Sequence, residues 1–504
     1  MILNNNLNEN ESEITNPGET TVSRSFMQTV AVAALGGLLF GYDTGITSTT
    51  LVLVGKDLGT GNPPILAPYQ EEWIVSSALV GALVGSLSSG RIGDLKFVGR
   101  RGVILVAAVL FTVGAVVQAL AGEYRDVIIG RTIVGLGVGL ASVILPTYLA
   151  EISVAQFRGR IVASLVVAIT FGQVLSYLVG IVFYSAPHGW RYMFGFGAIP
   201  SLVQLCFAFT LPESPRFLVE HDKTNSAKDS LRTLFPTASE DSILAQVESL
   251  RQAIDRESTQ LRSKEPFVKA FISIWTDLPS RRALILACGL QFFQQATGFN
   301  TLMYYSGKIL QFAGFEKPAQ FAILIAVSNF VCTIIALGLI DRVGRRPLLL
   351  VTLIFMTFGM SLTAFGFYSL ANRTASFGSF LCLFSMVVFC CSYALGLGNV
   401  PWVVQSEVFS FEMRGVGTSI ATATNWTANL LISSTFLSLN SRFSAGAVFA
   451  FYAFVCVLGL CFVYYFLPET KGMTLEETRI LFSDVPVVST GRGEYQPIQS
   501  TETV

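Results

Sequence analysis

Apolar stretches of about 20 residues, long enough to cross hydrocarbon as helices, recur along nearly the whole chain and are separated by short polar turns. Twelve of them centre near residues 35, 83, 111, 138, 172, 201, 292, 330, 358, 391, 427 and 456. Lipid offers the backbone no hydrogen-bond partners, so spans of this length must be helical. One longer polar interval, 212–281, interrupts the series after the sixth stretch. Within it Ile243, Val247, Leu250 and Ile254 recur at helical spacing. The pattern predicts an all-α membrane protein with twelve transmembrane helices in two six-helix halves and a small cytoplasmic helical unit between them. Its divisions are a disordered cytoplasmic tail at 1–24, bundles at 25–211 and 282–467, the linker at 212–281, and a cytoplasmic tail at 468–504.

The two halves repeat each other. Asp94-Leu-Lys-Phe-Val-Gly-Arg-Arg-Gly102 matches Asp341-Arg-Val-Gly-Arg-Arg-Pro347, with Leu95–Val98 carrying extra residues in the first copy. Further on, Pro146-x-Tyr148-x-x-Glu151 is followed by Arg158-Gly159, as Pro401-Trp402 and Glu407 are followed by Arg414-Gly415. Ordered motifs recurring half a chain apart indicate a duplicated membrane unit, the construction of alternating-access carriers.

Composition supports this. Hydrophobic residues make up 52% of the 504 and charged residues only 13%, and mean hydropathy is +0.59. Net charge is zero, which gives no footing for nucleic-acid binding. Two histidines and no metal, phosphate or nucleophile motif leave no carrier for enzymatic chemistry, so neither a catalytic residue nor a cofactor is expected. The eight cysteines all lie in apolar stretches, where they act as small hydrophobes. No cleavable leader is read ahead of the first span. With both termini cytoplasmic, the outer loops hold only Lys56, Arg125, Arg191, Lys308, Lys317, Arg373 and Arg442, and Arg131 lies within a span. The other Lys and Arg fall inside, as the positive-inside rule requires. Asn372-Arg-Thr374 is then a glycosylation sequon in a short outer loop.

Gly99-Arg-Arg, Arg131 with Gly135-x-Gly137, Pro212-Glu-Ser-Pro-Arg216, Gln294-Gln295-x-Thr297-Gly298-x-Asn300, Tyr304-Tyr305 and Pro468-Glu-Thr-Lys-Gly472 resemble the sugar porter family of the major facilitator superfamily. The resemblance spans roughly residues 30–475. Asn399-Val-Pro-Trp402, Ser406-Glu407 and Thr424-Asn425-Trp426 look most like fungal myo-inositol/proton symporters. It implies the major facilitator fold and proton-coupled uptake of myo-inositol or a related polyol at the plasma membrane. A proton-coupled hexose carrier and a passive sugar facilitator are the alternatives. The expected partners are a small polyol or sugar, a proton and the lipid bilayer.

Candidate site residues follow. Asp43, in Gly41-Tyr-Asp-Thr-Gly45, is a carboxylate inside the membrane, where charge usually faces a cavity or a counter-ion. Arg131 is the natural partner; burial and pairing would pull the carboxylate's proton affinity in opposite directions. That makes the pair a proton-coupling candidate, with a static ion pair as the alternative. Gln173, Gln294, Gln295, Asn300, Asn329, Asn425 and Asn429 offer donors and acceptors suited to a polyol ring. Their plainer role is interhelical hydrogen bonding. Gln295 and Asn300 share one direction only if the helix breaks, which Gly298 permits. Trp402 and Trp426 are candidates to stack on a ring, Trp402 the better placed after Pro401, with Phe40 and Tyr304 as further lining. Gly81-x-x-x-Gly85 and Gly135-x-Gly137-x-Gly139 mark close helix packing. Finally, Glu151 with Arg158, Glu407 with Arg414, and the turn residues Arg100, Arg101, Arg345 and Arg346 are expected to form a cytoplasmic gate tying the halves together; otherwise they set topology and brace turns.

Overall fold

The structure is a computed structural model that describes residues 23–59, 65–154, 157–262, 275–371, 375–409, 414–471, 482, 487–489 and 495–497. The first half contains α1 (Arg24–Leu58), α2 (Pro68–Gly93), α3 (Gly99–Ala119), α4 (Tyr124–Ile152), α5 (Arg158–Phe183), and a broken sixth crossing, α6 (Gly189–Phe196) and α7 (Ala198–Ala208). Three linker helices follow: α8 (Pro215–Glu220), α9 (Thr224–Leu234) and α10 (Glu240–Arg262). The second half has a broken seventh crossing, α11 (Leu278–Ala296) and α12 (Phe299–Phe312), then α13 (Pro318–Val343) and α14 (Arg345–Ala371). The tenth crossing is again broken, α15 (Ala375–Leu395) and α16 (Val400–Glu407), and α17 (Arg414–Ser433), α18 (Phe436–Phe443) and α19 (Ala445–Phe466) complete the bundle. One departure from an all-helical chain lies in the C-terminal tail, where Val487–Ser489 pairs antiparallel with Tyr495–Pro497, Val488 opposite Gln496. The sequon at Asn372 lies outside the described residues.

Among the described residues, nine helices are long and apolar enough to cross a membrane. The other three expected crossings have physical reasons for falling short. The sixth is split at Gly197, α11 before the break at Gly298 carries Arg281, Arg282, Gln291, Gln294 and Gln295, and α17 carries many polar residues between Thr418 and Asn429. At the seventh, Gly298 adopts φ +86°, a left-handed conformation that a side chain disfavours. The break turns Asn300 back toward Gln295.

Short residues bring helices together. A Cβ on Gly81 would lie 2.4 Å from the Thr132 carbonyl oxygen, and one on Gly135 2.1 Å from that of Ala78, so α2 and α4 meet backbone to backbone. The tightest approach is α1 on α5, where a Cβ on Gly41 would sit 1.8 Å from the Ile169 oxygen. Two residues from Asp43, that contact fixes the height of the carboxylate. Gly41→Ala must push α1 off α5; we expect a loss of about 2–3 kcal/mol, read as a lower thermal midpoint in detergent.

The linker forms its own small core, with Phe217, Leu231, Ile243 and Val247 buried against one another. It docks on the start of α1: the hydroxyls of Ser23 and Ser25 donate to the carbonyls of Leu234 and Thr233, both at 2.6 Å, and Phe26 stacks on Phe235. We call this end of the bundle, where α1 begins and α19 finishes, the terminal end, and the opposite one the far end.

Candidate functional site

Two charged cages occupy the terminal end, one in each half. In the first, Arg100 donates to the Gly93 carbonyl at 2.8 Å, to Asp94 at 2.5 Å and to both Glu151 oxygens at 3.3 Å. Glu213 then caps α3, accepting from the backbone N–H groups of Arg100 and Arg101 at 3.0 and 3.2 Å. The second repeats this. Arg345 reaches Glu407 at 2.8 Å and Asp341 at 3.4 Å, and Glu469 accepts from the backbone of Arg345 and Arg346, both at 3.0 Å. A carboxylate at a helix start satisfies orphan donors and complements the dipole. This explains the Pro-Glu motifs after the sixth and twelfth crossings and the Gly-Arg-Arg turns. Gly99 and Gly344 both have positive φ, and a Cβ on either would collide with the capping carboxylate, at 2.2 and 2.7 Å. Arg101 and Arg346 hold carbonyls of their own half, Phe209 at 2.7 Å and Tyr464 at 2.9 Å.

These contacts differ from the expected gate in two respects. The cages close within each half rather than between halves. Arg158 is exposed and meets no carboxylate among the described residues. Glu151 lies in the last turn of α4 and Arg158 opens α5, so the two are divided between helices. Glu407 and Arg414 are likewise divided between α16 and α17, and the Arg414 side chain lies outside the described residues.

Deeper in the first half, the Arg131 guanidinium pairs with Asp43, and its Nε donates to the Ile74 carbonyl at 3.1 Å. Arg131 is 1% exposed. The pair therefore joins α1, α2 and α4, with the guanidinium enclosed and the Asp43 side chain 12% exposed.

The amides form one bridge between the halves and one cluster within the second half. Asn329 of α13 donates to Gln173 of α5 at 2.8 Å, a direct bridge from half to half. In the second half, Asn300 donates to Gln295 at 2.7 Å and Gln295 to Asn425 at 3.0 Å; Asn425 donates to Gln294 at 2.6 Å. Gln294 in turn donates to the Leu397 and Gly398 carbonyls, both at 2.9 Å, in the break between α15 and α16. Asn429, one turn beyond Asn425, accepts from Ser433 and lies beside Tyr304, which also neighbours Thr44, the residue after Asp43. All are buried except Asn300, which is partly open. Of the two tryptophans, Trp426 is buried and meets Phe40 across the halves at 6.2 Å between ring centroids, whereas Trp402 is 43% exposed. A surface cavity of about 480 Å³ lies at the far end of the first half, lined by Asp57, Glu123, Tyr124 and Arg125, and holds none of these residues.

Sequence reasoning missed two groups. Gln291 and Gln405 extend the amide cluster, hydrogen-bonded at 2.8 Å. Gln291 could have been found from its i, i+3, i+4 spacing with Gln294 and Gln295. The second group ties the halves at the far end. Lys308 pairs with Glu71 at 2.8 Å, and Glu72 accepts from the backbone N–H and hydroxyl of Ser438 at 2.7 and 2.6 Å. Beneath them Ser306 meets both Ser48 and Tyr177 at 2.7 Å.

The comparisons fit this geometry. The profile of the family described as "Sugar (and other) transporter" matches residues 29–482. Myo-inositol transporter 1 of Cryptococcus neoformans var. grubii is 41% identical over 477 residues, covering 93% of this chain and 83% of the relative. Myo-inositol transporter 2 of Schizosaccharomyces pombe is 38% identical over 450, covering 88% and 80%. Among solved structures, the inward open conformation of the xylose transporter XylE from E. coli superposes with a TM-score of 0.76 at 30% identity, covering 91% of this chain and 100% of XylE. The proton:xylose symporter XylE bound to 6-bromo-6-deoxy-D-glucose gives 0.72, also at 30% identity, covering 92% and 100%. This chain is a multi-pass membrane protein of the major facilitator fold, a transporter rather than an enzyme, and belongs to the sugar transporter family.

Proposed function

We propose that this protein carries myo-inositol inward across the plasma membrane together with a proton, both termini lying in the cytoplasm. The observation that carries the reading is the placement of a largely buried, paired carboxylate, its side chain 12% exposed, one residue from the polar interface: Asp43 meets Arg131, and Thr44 meets Tyr304 beside Asn429. A proton on Asp43 would loosen its hold on Arg131 and let α1 shift against α4, while a ring held by amides of both halves favours their closure. Myo-inositol has a hydroxyl on every ring carbon, so a site built of uncharged amides can hydrogen-bond all round it. The relatives' names support the substrate, and the XylE comparison supports the proton. In this reading Gln173, Gln294, Gln295, Asn300, Asn329, Asn425 and Asn429 bind the ring, with Trp402 or Trp426 against its apolar face.

The residues at 25–211 and 282–467 would act as the two rocking bodies, with the 212–281 linker on the cytoplasmic side. With the far end outside, the contacts between halves there would belong to a carrier closed outward. The terminal-end cages then serve as the inner gate's rigid lips, each held within its own half, that meet when the site faces out.

A hexose as substrate is the second reading, favoured by the glucose analogue bound to XylE. Uptake of radiolabelled myo-inositol in cells stripped of their own carriers separates them. We expect uptake that a large excess of glucose leaves intact and that an uncoupler abolishes. Displacement by glucose would assign the site to hexoses, and accumulation that survives the uncoupler would remove the proton.

A further inference from the structure

The amides of the second half are not only close; their hydrogen bonds all run in one sense. From Asn300 each amide donates forward: to Gln295, then Asn425, then Gln294, then the carbonyls of Leu397 and Gly398. A carbonyl can only accept. The relay therefore ends on groups that set the orientation of Gln294; Asn425, with a second N–H to place, must find a matching acceptor for Gln295 and Asn300 to hold the same sense. A branch leaves at Asn425, whose second N–H donates to Gln291 at 2.7 Å. Gln291 donates to Gln405 at 2.8 Å and Gln405 to Thr422 at 3.3 Å. Gln291 and Gln405 are 0% and 6% exposed, so substrate cannot meet them directly in this conformation. Both nevertheless present an oxygen toward the preceding donor and thereby match the sense that the carbonyls impose.

We propose that Gln291 and Gln405 are positioning residues for substrate recognition: they lock the second N–H of Asn425 and so fix which end of the Asn300 amide faces the ring. One N–H of Asn300, the one partly open member, is committed to Gln295, which fixes its oxygen in place as an acceptor for the ring. The site then demands a hydroxyl that donates at that point, and rejects a ring carrying an acceptor alone. The inference rests on the polyol reading of the site above.

Gln405→Met and Gln405→Glu test it, because the relay and simple packing predict opposite orders. Methionine nearly conserves shape but cannot accept from Gln291. Glutamate still accepts. Under the relay, Gln405→Met raises the KM for myo-inositol about five- to tenfold, the weight of one buried hydrogen bond, with little change in kcat. Gln405→Glu stays within about twofold of wild type. If Gln405 only fills space, Met is tolerated and the buried Glu is damaging. The second readout is competition by a series of mono-deoxyfluoro inositols, in which one hydroxyl becomes an acceptor only. Wild type should discriminate strongly at one ring position, and Gln405→Met should compress that ratio toward one. Both variants are scored per molecule at the cell surface. If Gln405→Glu does not reach the membrane, the analogue ratio of Gln405→Met decides alone. An unchanged KM and ratio in Gln405→Met would overturn the proposal, whereas a wild type that takes up no inositol would instead overturn the substrate reading.

Discussion

Cells carrying Asp43→Asn should lose accumulation of the labelled polyol while still exchanging internal for external substrate. Asparagine can still accept a hydrogen bond from Arg131, so the helices α1, α2 and α4 keep their junction and the protein should insert normally. What it cannot do is bind and release a proton. With one proton moving per substrate, a membrane potential of about 100 mV supplies about 2.3 kcal/mol, a concentration ratio of about fiftyfold. The variant should fall to a ratio near one, unmoved by uncoupler, with counterflow retained. The guanidinium is 1% exposed and also holds the Ile74 carbonyl, so it does not leave when the carboxylate is neutralised. The remaining hydrogen bond keeps the junction joined but loosened, as a protonated Asp43 would, so α1 can still shift against α4 and exchange persists. If Asp43→Asn accumulates substrate like wild type, the pair is a structural brace and the proton binds elsewhere.

Much of this architecture could be read from local sequence because lipid leaves so few options. The helices, the duplicated turns and the break at Gly298 each follow from residues within a few positions of one another. The meeting of Asp43 with Arg131, 88 residues apart, was legible for a different reason: a span tolerates a lone charge poorly and the first half offers one partner within a span. The amides were legible as a class for the same reason. What local patterns could not supply is which surfaces meet when the two halves close. Glu71 and Lys308 are 237 residues apart and Glu72 and Ser438 are 366 apart, and each reads alone as an ordinary polar residue near a membrane surface. The terminal-end arginines were legible in part: Arg100 and Arg345 belong to the turn residues expected beside the carboxylates and do pair with Glu151 and Glu407, but within each half, which no local pattern shows. The Pro-Glu motifs were visible, yet their role as caps for α3 and α14 depends on a helix start more than 100 residues away.

The far-end contacts give the other large effect. Glu71 and Lys308 are 7% and 16% exposed at their side chains, so their pair escapes most solvent screening. Glu72 reaches from α2 to the first turn of α18, where the Ser438 N–H has no partner within its own helix, and takes the serine hydroxyl with its other oxygen. Charge-assisted bonds of this kind are worth about 1.5–3 kcal/mol each. If the halves rock as proposed, all of them must break for the far side to open, and they form anew when it closes. Replacing both carboxylates, Glu71→Gln with Glu72→Gln, should therefore move the balance toward the outward-open state by about 2–4 kcal/mol, at least thirtyfold in population. A cysteine at Thr44, placed in a background without the native cysteines, reports this directly. Its labelling from the far side by a membrane-impermeant thiol reagent should accelerate at least tenfold in the double variant, while net uptake slows because the inward-facing state is now the rarer one. Exchanging the charges, Glu71→Lys with Lys308→Glu, should bring labelling back toward the parent rate, since the pair is restored in reverse. Equal labelling in all three proteins would mean that these carboxylates merely staple the ends of α2, and that closure is driven by the serines and Tyr177 packed beneath them.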